Sequence, residues 1–153
     1  MICVDIENPS QAEAVQLLQE FSEDLANRYR DLSEDGLWAF RPEELTPGRT
    51  AFVLAKLDGK PVGCGALCVL DDEIAEIKRL FVATGARGHG VAARILAKLE
   101  ELARDFGYEA IRLETGVKQP ESIALFGKAG YYRIPNFGRY AESPVSACFE
   151  KRI

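Results

Sequence analysis

Arg87-Gly88-His89-Gly90-Val91-Ala92 stands between a strand-like apolar run, 77–82, and a helix-like stretch that starts near Val91. A glycine turn lets backbone come close to a ligand because no Cβ is in the way. At a helix start it also aims several unpaired N–H groups and the positive end of the helix dipole at one spot. That combination is an anion site, and a phosphate is its natural occupant. Which phosphate compound binds there decides the fold and the function together.

Outward from the turn, the hydrophobic period switches between two and 3.6. Upstream, 74–82 reads as a strand in which simple alternation puts Glu76, Lys78, Leu80 and Val82 on one face. Downstream, the helix 91–106 turns Val91, Ile95, Leu99, Leu102 and Phe106 inward and Arg94, Lys98, Glu101 and Asp105 to water. Gly107 ends that helix. Strands 51–57 and 62–70 are joined by Asp58-Gly59, a strong hairpin signal, and Asp71-Asp72-Glu73 marks the next turn.

At the N-terminal side, 2–6 reads as a first strand. Asn8-Pro9-Ser10 then opens a helix, with Ser10 and Glu13 as a capping-box pair. Val15, Leu18, Phe21 and Leu25 form its apolar face, through about Tyr29. Residues 31–48 are acidic and broken by Gly36, Pro42, Pro47 and Gly48, which predicts a short second helix and loops. Toward the C-terminus come a strand 110–115, a helix 120–129 closed by Gly130, and closing strands 131–134 and 145–153. The order β-α-α-β-β-β-α-β-α-β-β predicts one α/β domain over 1–153, with a mixed, mainly antiparallel sheet flanked by helices.

Bulk properties narrow the function. With 153 residues, 47% hydrophobic and 28% charged, the chain has the composition of a globular domain with a full core. A net charge of −5 with one histidine argues against a broad nucleic-acid surface. No apolar run reaches 18 residues, and the N-terminus has neither a basic leader nor a signal core, so a cytoplasmic protein with no membrane role is expected. Of four cysteines, Cys64 and Cys68 share a strand face, while Cys3 and Cys148 lie near the termini. This spacing does not suit a metal site, and buried thiols in a reducing compartment are expected.

Three kinds of phosphate turn compete for 87–92. A P-loop needs Lys and Ser/Thr after its last glycine, where this chain has Val91-Ala92, so that reading fails. Gly88-x-Gly90-x-x-Ala93 matches a dinucleotide fingerprint, with Glu114 as a ribose-binding acid. Against it, Ala83 to Arg87 separate the strand from the first glycine, and fewer than 40 residues follow Glu114. The third reading uses the flanks as well. Arg87-x-x-Gly90-x-Ala92 fits the R/Q-x-x-G-x-G/A signature of the GNAT family of N-acetyltransferases, which the sequence resembles. Glu76 to Val82 looks like that family's fourth strand and Ile111 to Thr115 like its fifth. Leu125-Phe126-Gly127-Lys128-Ala129-Gly130-Tyr131 looks like its L-Y-x-K-x-G-F/Y motif. The likeness is strong over roughly residues 62–133 and rests on element order before that.

The resemblance implies acetyl transfer from acetyl-CoA to a primary amine of a small molecule, peptide or protein lysine, by direct attack in a ternary complex. The backbone of Arg87, Gly88, His89, Gly90, Val91 and Ala92 would hold the pyrophosphate, with the His89 ring uninvolved. Phe81 and Val82 would pair with the pantetheine arm where the fourth and fifth strands splay, and the Val82 amide would polarise the thioester carbonyl. Phe126 and Lys128 would border the cofactor. An alkylamine of pKa about 10 is protonated near neutrality, so a base is needed. Glu76 stands where several family members carry that base.

The chain departs from the family at Phe126, where a tyrosine often protonates the leaving thiolate. A CoA thiol is acidic enough to leave as thiolate or to take a proton from water, and that departure is expected. Tyr131, Tyr132 or Tyr140 could substitute, with Tyr131 at a packing position. Trp38 and Tyr140 are expected to wall the acceptor site. Acidic Glu34, Asp35, Asp71, Asp72 and Glu73 lean slightly toward a cationic acceptor. Exposed edge strands leave a homodimer open. A non-catalytic acyl-CoA-binding or sensing module is the alternative reading.

Overall fold

The structure is a computed structural model that describes residues 1–28, 45 and 48–153. The expected short second helix and Trp38 therefore fall outside the described residues. A seven-stranded sheet runs β1 (Ile2–Ile6), β2 (Ala51–Leu57), β3 (Lys60–Val69), β4 (Ile74–Val82), β5 (Ala110–Gly116), β7 (Ser146–Arg152) and β6 (Tyr132–Ile134) in spatial order. Every neighbouring pair is antiparallel except β4 and β5, as a mixed, mainly antiparallel sheet requires. The β2–β3 turn has Asp58 at φ +51° and Gly59 at φ +84°. Two left-handed residues in a row suit the twist of a tight hairpin.

Helices cover both faces. On one lie α2 (Val91–Asp105) and α3 (Pro120–Lys128), packed over Val53, Leu67, Ile77, Ile111 and Leu113. On the other lies α1 (Ala12–Arg28), over Phe52, Leu54, Cys64, Cys68 and Phe81. This helix begins later than its sequence suggests. Asn8 Oδ1 accepts the Ser10 N–H at 2.8 Å, closing a turn over Pro9, and the helix starts at Ala12. Ser10 thus precedes the helix instead of capping it. The buried face is Ala14, Leu17 and Leu25, with Leu18 and Phe21 half-buried, whereas Val15 is 49% exposed. A small residue at 14 lets the helix lie close to the sheet, and that contact sets the rotation of its face.

The seating of α2 depends on glycines in β3. A Cβ at Gly63 would stand 2.9 Å from both Ile95 Cδ1 and the Phe81 carbonyl oxygen, and one at Gly65 would be 2.9 Å from Ile95 Cγ2. Since one obstacle at Gly63 is backbone, relief requires moving a strand. Gly63→Ala is expected to cost on the order of 2 kcal/mol, about 4–8 °C in Tm for this chain length. Thermal unfolding measures it, and an unchanged Tm would show that the packing yields easily.

Strand β4 does not alternate cleanly. Arg79 has φ +58°, and the β3–β4 register shifts between Cys64 and Ala66, so Arg79 and Leu80 together oppose Gly65. This is a bulge, and it reverses which side chains face which layer. Glu76 and Lys78 pair with Cys68 and Ala66, and Phe81 pairs with Cys64, all toward α1. Leu80 and Val82 pack on the α2 side with Ile77. The single face expected for Glu76, Lys78, Leu80 and Val82 is therefore corrected: Leu80 and Val82 lie on the other side. The Cys64 thiol donates to the Arg79 carbonyl at 3.4 Å. Burial pushes that thiol up to about 12, so it keeps its proton. Cys68 and Cys148 are buried as expected, whereas Cys3 is exposed.

Candidate active site

Parallel pairing of β4 with β5 runs from Ile74↔Ala110 to Ile77↔Leu113 and stops. Past the bulge, the last residues of β4 and the end of β5 diverge, opening a seam in the sheet. The seam leads into the glycine turn. Gly88 has φ +86° and Gly90 φ +77°, and Gly90 is the N-cap of α2. Nothing lies within 4 Å of where a Cβ at either glycine would stand. Their missing side chains face open space, as a backbone cradle for an anion requires.

A cleft of about 270 Å³ joins the two features. Of the residues expected to hold a cofactor, Phe81, Val82, Arg87, Gly88, Gly90, Val91 and Ala92 line it together, with Phe21 and Asp24 of α1 opposite. The Arg87 side chain braces the site: its Nε donates to the Val82 carbonyl at 3.1 Å, and its guanidinium lies 3.8 Å from Asp24. His89 is exposed and outside the described lining. Lys128 is also exposed and lines neither this cleft nor the smaller cavity beside it, whereas buried Phe126 borders only the smaller one.

That smaller cavity, about 60 Å³, abuts the cleft and shares Phe21, Leu80, Gln119 and Ser122 with it. Tyr140 lines it, and its hydroxyl donates to Glu76 Oε2 at 2.9 Å. Glu76 itself is 6% exposed and borders neither cavity. The other tyrosines are engaged elsewhere: Tyr131 donates to Glu100 and Tyr132 to Glu150. Of the three named in sequence, Tyr140 alone stands at the cavity.

The carboxylate on the cavity wall is Glu114, one residue past the point where β5 leaves β4. Burial lifts its pKa to about 7, opposed by a hydrogen bond from Ser146 Oγ at 2.5 Å and reinforced by the negative charge of Glu76. In the sequence Glu114 stands out only as a strand residue and as the acid of the dinucleotide pattern. Its signal was its place at the end of the fifth strand, but the burial that tunes it is a tertiary property.

Residues 14–131 match the acetyltransferase (GNAT) family. The chain belongs to that family. It is an acetyl-CoA-dependent acetyltransferase, and the open cradle at Gly88 and Gly90 fits the diphosphate of that co-substrate. A relative from Azospirillum brasilense named IAA acetyltransferase is 36% identical over 148 residues, 96% of this chain and 95% of the relative. A solved structure from Klebsiella pneumoniae shares 29% identity at a TM-score of 0.80, covering 99% of this chain and 97% of that one. A GNAT acetyltransferase from Elizabethkingia anophelis, solved with acetyl-CoA bound, has the same fold at a TM-score of 0.69 and 18% identity, with 99% and 98% coverage. Among the described residues of this acetyltransferase, no helix is long and apolar enough to cross a membrane, and no group of three or more His, Cys, Asp or Glu is placed to hold a metal ion.

Proposed function

We propose that this acetyltransferase moves the acetyl group from acetyl-CoA to a primary amine, by direct attack in a ternary complex. The observation that carries the reading is the open seam between β4 and β5, running into the glycine turn at the start of α2. When bound, the co-substrate supplies an activated thioester. The backbone of residues 87–92 holds the diphosphate by charge-assisted hydrogen bonds that need no side-chain ordering. The Val82 amide, on the open edge of β4, donates to the carbonyl oxygen as negative charge develops there.

Glu114 takes the proton that the amine must lose. A base with a pKa near the working pH is ionised often enough to act and basic enough to accept. Glu76, the base expected from the resemblance, works in this reading as a positioning residue. Its carboxylate holds the Tyr140 hydroxyl, and its charge raises the proton affinity of Glu114. The test is release of free thiol from acetyl-CoA in the presence of a panel of amines. Turnover of none, with acetyl-CoA still bound, would favour the sensing module, which Phe126 at the usual donor position motivates.

Tyr140 is a poor acid for the leaving thiolate, because burial and the charge of Glu76 push its pKa well above the ordinary tyrosine range. Tyr140→Phe is accordingly expected to lower kcat by less than about 10-fold. The variant should lose about 1–3 kcal/mol of stability, because the Glu76 carboxylate loses a buried donor. A pH-dependent fall of about 10²–10⁴-fold would instead make Tyr140 the acid.

A further inference from the structure

We infer that the acceptor carries a carboxylate beside its primary amine, and that Arg79 and Arg139 hold that carboxylate in the smaller cavity. This deepens the acetyl-transfer reading and rests on it.

Lys78, Arg79 and Arg139 line the cavity, against Glu114 as the one carboxylate among its described lining residues. With Glu76 behind the Tyr140 hydroxyl the cavity still has three cations against two carboxylates, a balance that favours an acceptor bringing negative charge of its own. Arg79 is held at this place by the bulge: its left-handed φ of +58° sits where β4 leaves β5, and its guanidinium carbon lies 5.9 Å from the Phe21 ring centre. The Arg139 guanidinium carbon lies 5.3 Å from the Tyr140 ring centre, with Nη2 3.3 Å from the Tyr140 hydroxyl. Each guanidinium has thus been brought against an aromatic side chain of the wall, which orients its plane. Both also act on the charge of Glu114, so all three groups share one electrostatic neighbourhood.

A guanidinium fork matches a carboxylate in shape and charge, and an amine at the far end of such a molecule meets Glu114 at the seam. The cavity is small, about 60 Å³, and suits a carboxylate with a short carbon chain. A free amino acid and the C-terminal residue of a short peptide both present this chemistry.

The test uses the full chain, acetyl-CoA and matched amines: amino acids, their carboxamides, their decarboxylated amines, and dipeptides of the same residues. At least one amino carboxylate is expected to exceed its carboxamide and decarboxylated partners by about 100-fold or more in kcat/KM, as polar subsites commonly achieve. Arg139→Gln and, separately, Arg79→Gln should collapse that ratio toward one, chiefly through KM, while the stabilisation of each variant by acetyl-CoA reports that it is folded. Activity on free amino acids but not dipeptides, or the reverse, tells the two sources apart, and either supports the subsite. Equal or better turnover of carboxamides and plain amines overturns the inference and leaves acetyl transfer standing. Turnover of no amine, with acetyl-CoA bound, overturns both.

Discussion

Gly90→Val should abolish the stabilisation that acetyl-CoA gives this protein. A ligand that binds only the native state at 1,000 times its Kd adds about 4 kcal/mol, roughly 8–16 °C in Tm at this size. The valine side chain would stand in the open space of the cleft, where the diphosphate must approach. It would also be strained, because Gly90 has φ +77°, at a cost of about 1–2 kcal/mol. Gly107→Val separates the two effects. Gly107 has φ +85° and equally open surroundings, but it lies just beyond the other end of α2. It should lose comparable intrinsic stability and keep the whole acetyl-CoA shift. Thermal scans with acetyl-CoA, CoA and NAD check all three proteins. If Gly90→Val retains the full shift, the cradle lies elsewhere, and a shift with NAD but not CoA would restore the dinucleotide reading.

Glu114→Gln carries the second large effect. Loss of the base should lower kcat by about 10²–10⁴-fold with little change in acetyl-CoA affinity. In the wild type, the acidic limb of the pH–rate profile should fall near the Glu114 pKa of about 7. Glu76→Gln should move that limb to lower pH, because it removes a negative charge that raises the pKa.

Stability supplies an independent check with a definite sign. The carboxyl of Glu114 prefers its proton in the folded state, with a pKa of about 7 against an ordinary 4.5. Between those values the native chain binds a proton that the unfolded chain has lost. Stability from this group is therefore complete below about pH 4.5 and declines as pH rises through 7. A shift of that size is on the order of 3 kcal/mol. Glu114→Gln, which cannot ionise, should gain stability relative to wild type between pH 5 and pH 8. A constant difference across that range would remove the raised pKa, and with it the case for Glu114 as the base.

Much of the fold was legible because local and tertiary demands agreed. Asp58-Gly59 prescribes a tight turn by itself, and Val91, Ile95, Leu99 and Leu102 specify the buried face of α2 wherever that helix docks. The glycine turn was equally readable, since Gly88 and Gly90 both adopt the left-handed backbone that favours glycine. Legibility failed where a neighbour decided. The face of α1 turned on the fit of Ala14 against the sheet, and alternation along β4 failed at Arg79, a left-handed arginine that no local pattern announces. For the same reason no local pattern shows that Glu76 is buried behind the Tyr140 hydroxyl while Glu114 stands on the cavity wall. Which carboxylate lines a cavity depends on where two strands part.

The bulge also governs how the sheet finds its alignment. A strand with an unbroken two-residue repeat can pair two residues out of place and still bury one face. Here Ile77, Leu80 and Val82 are spaced three and two apart, while Glu76, Lys78 and Phe81 are spaced two and three. A two-residue slip along β3 toward Leu67 would set the extra residue against a side chain on the α2 side, whereas a slip toward Gly63 would meet another glycine. The odd residue thus acts as a pin against slippage toward Leu67 during folding, and the native alignment is the one in which β4 parts from β5 beside the glycine turn.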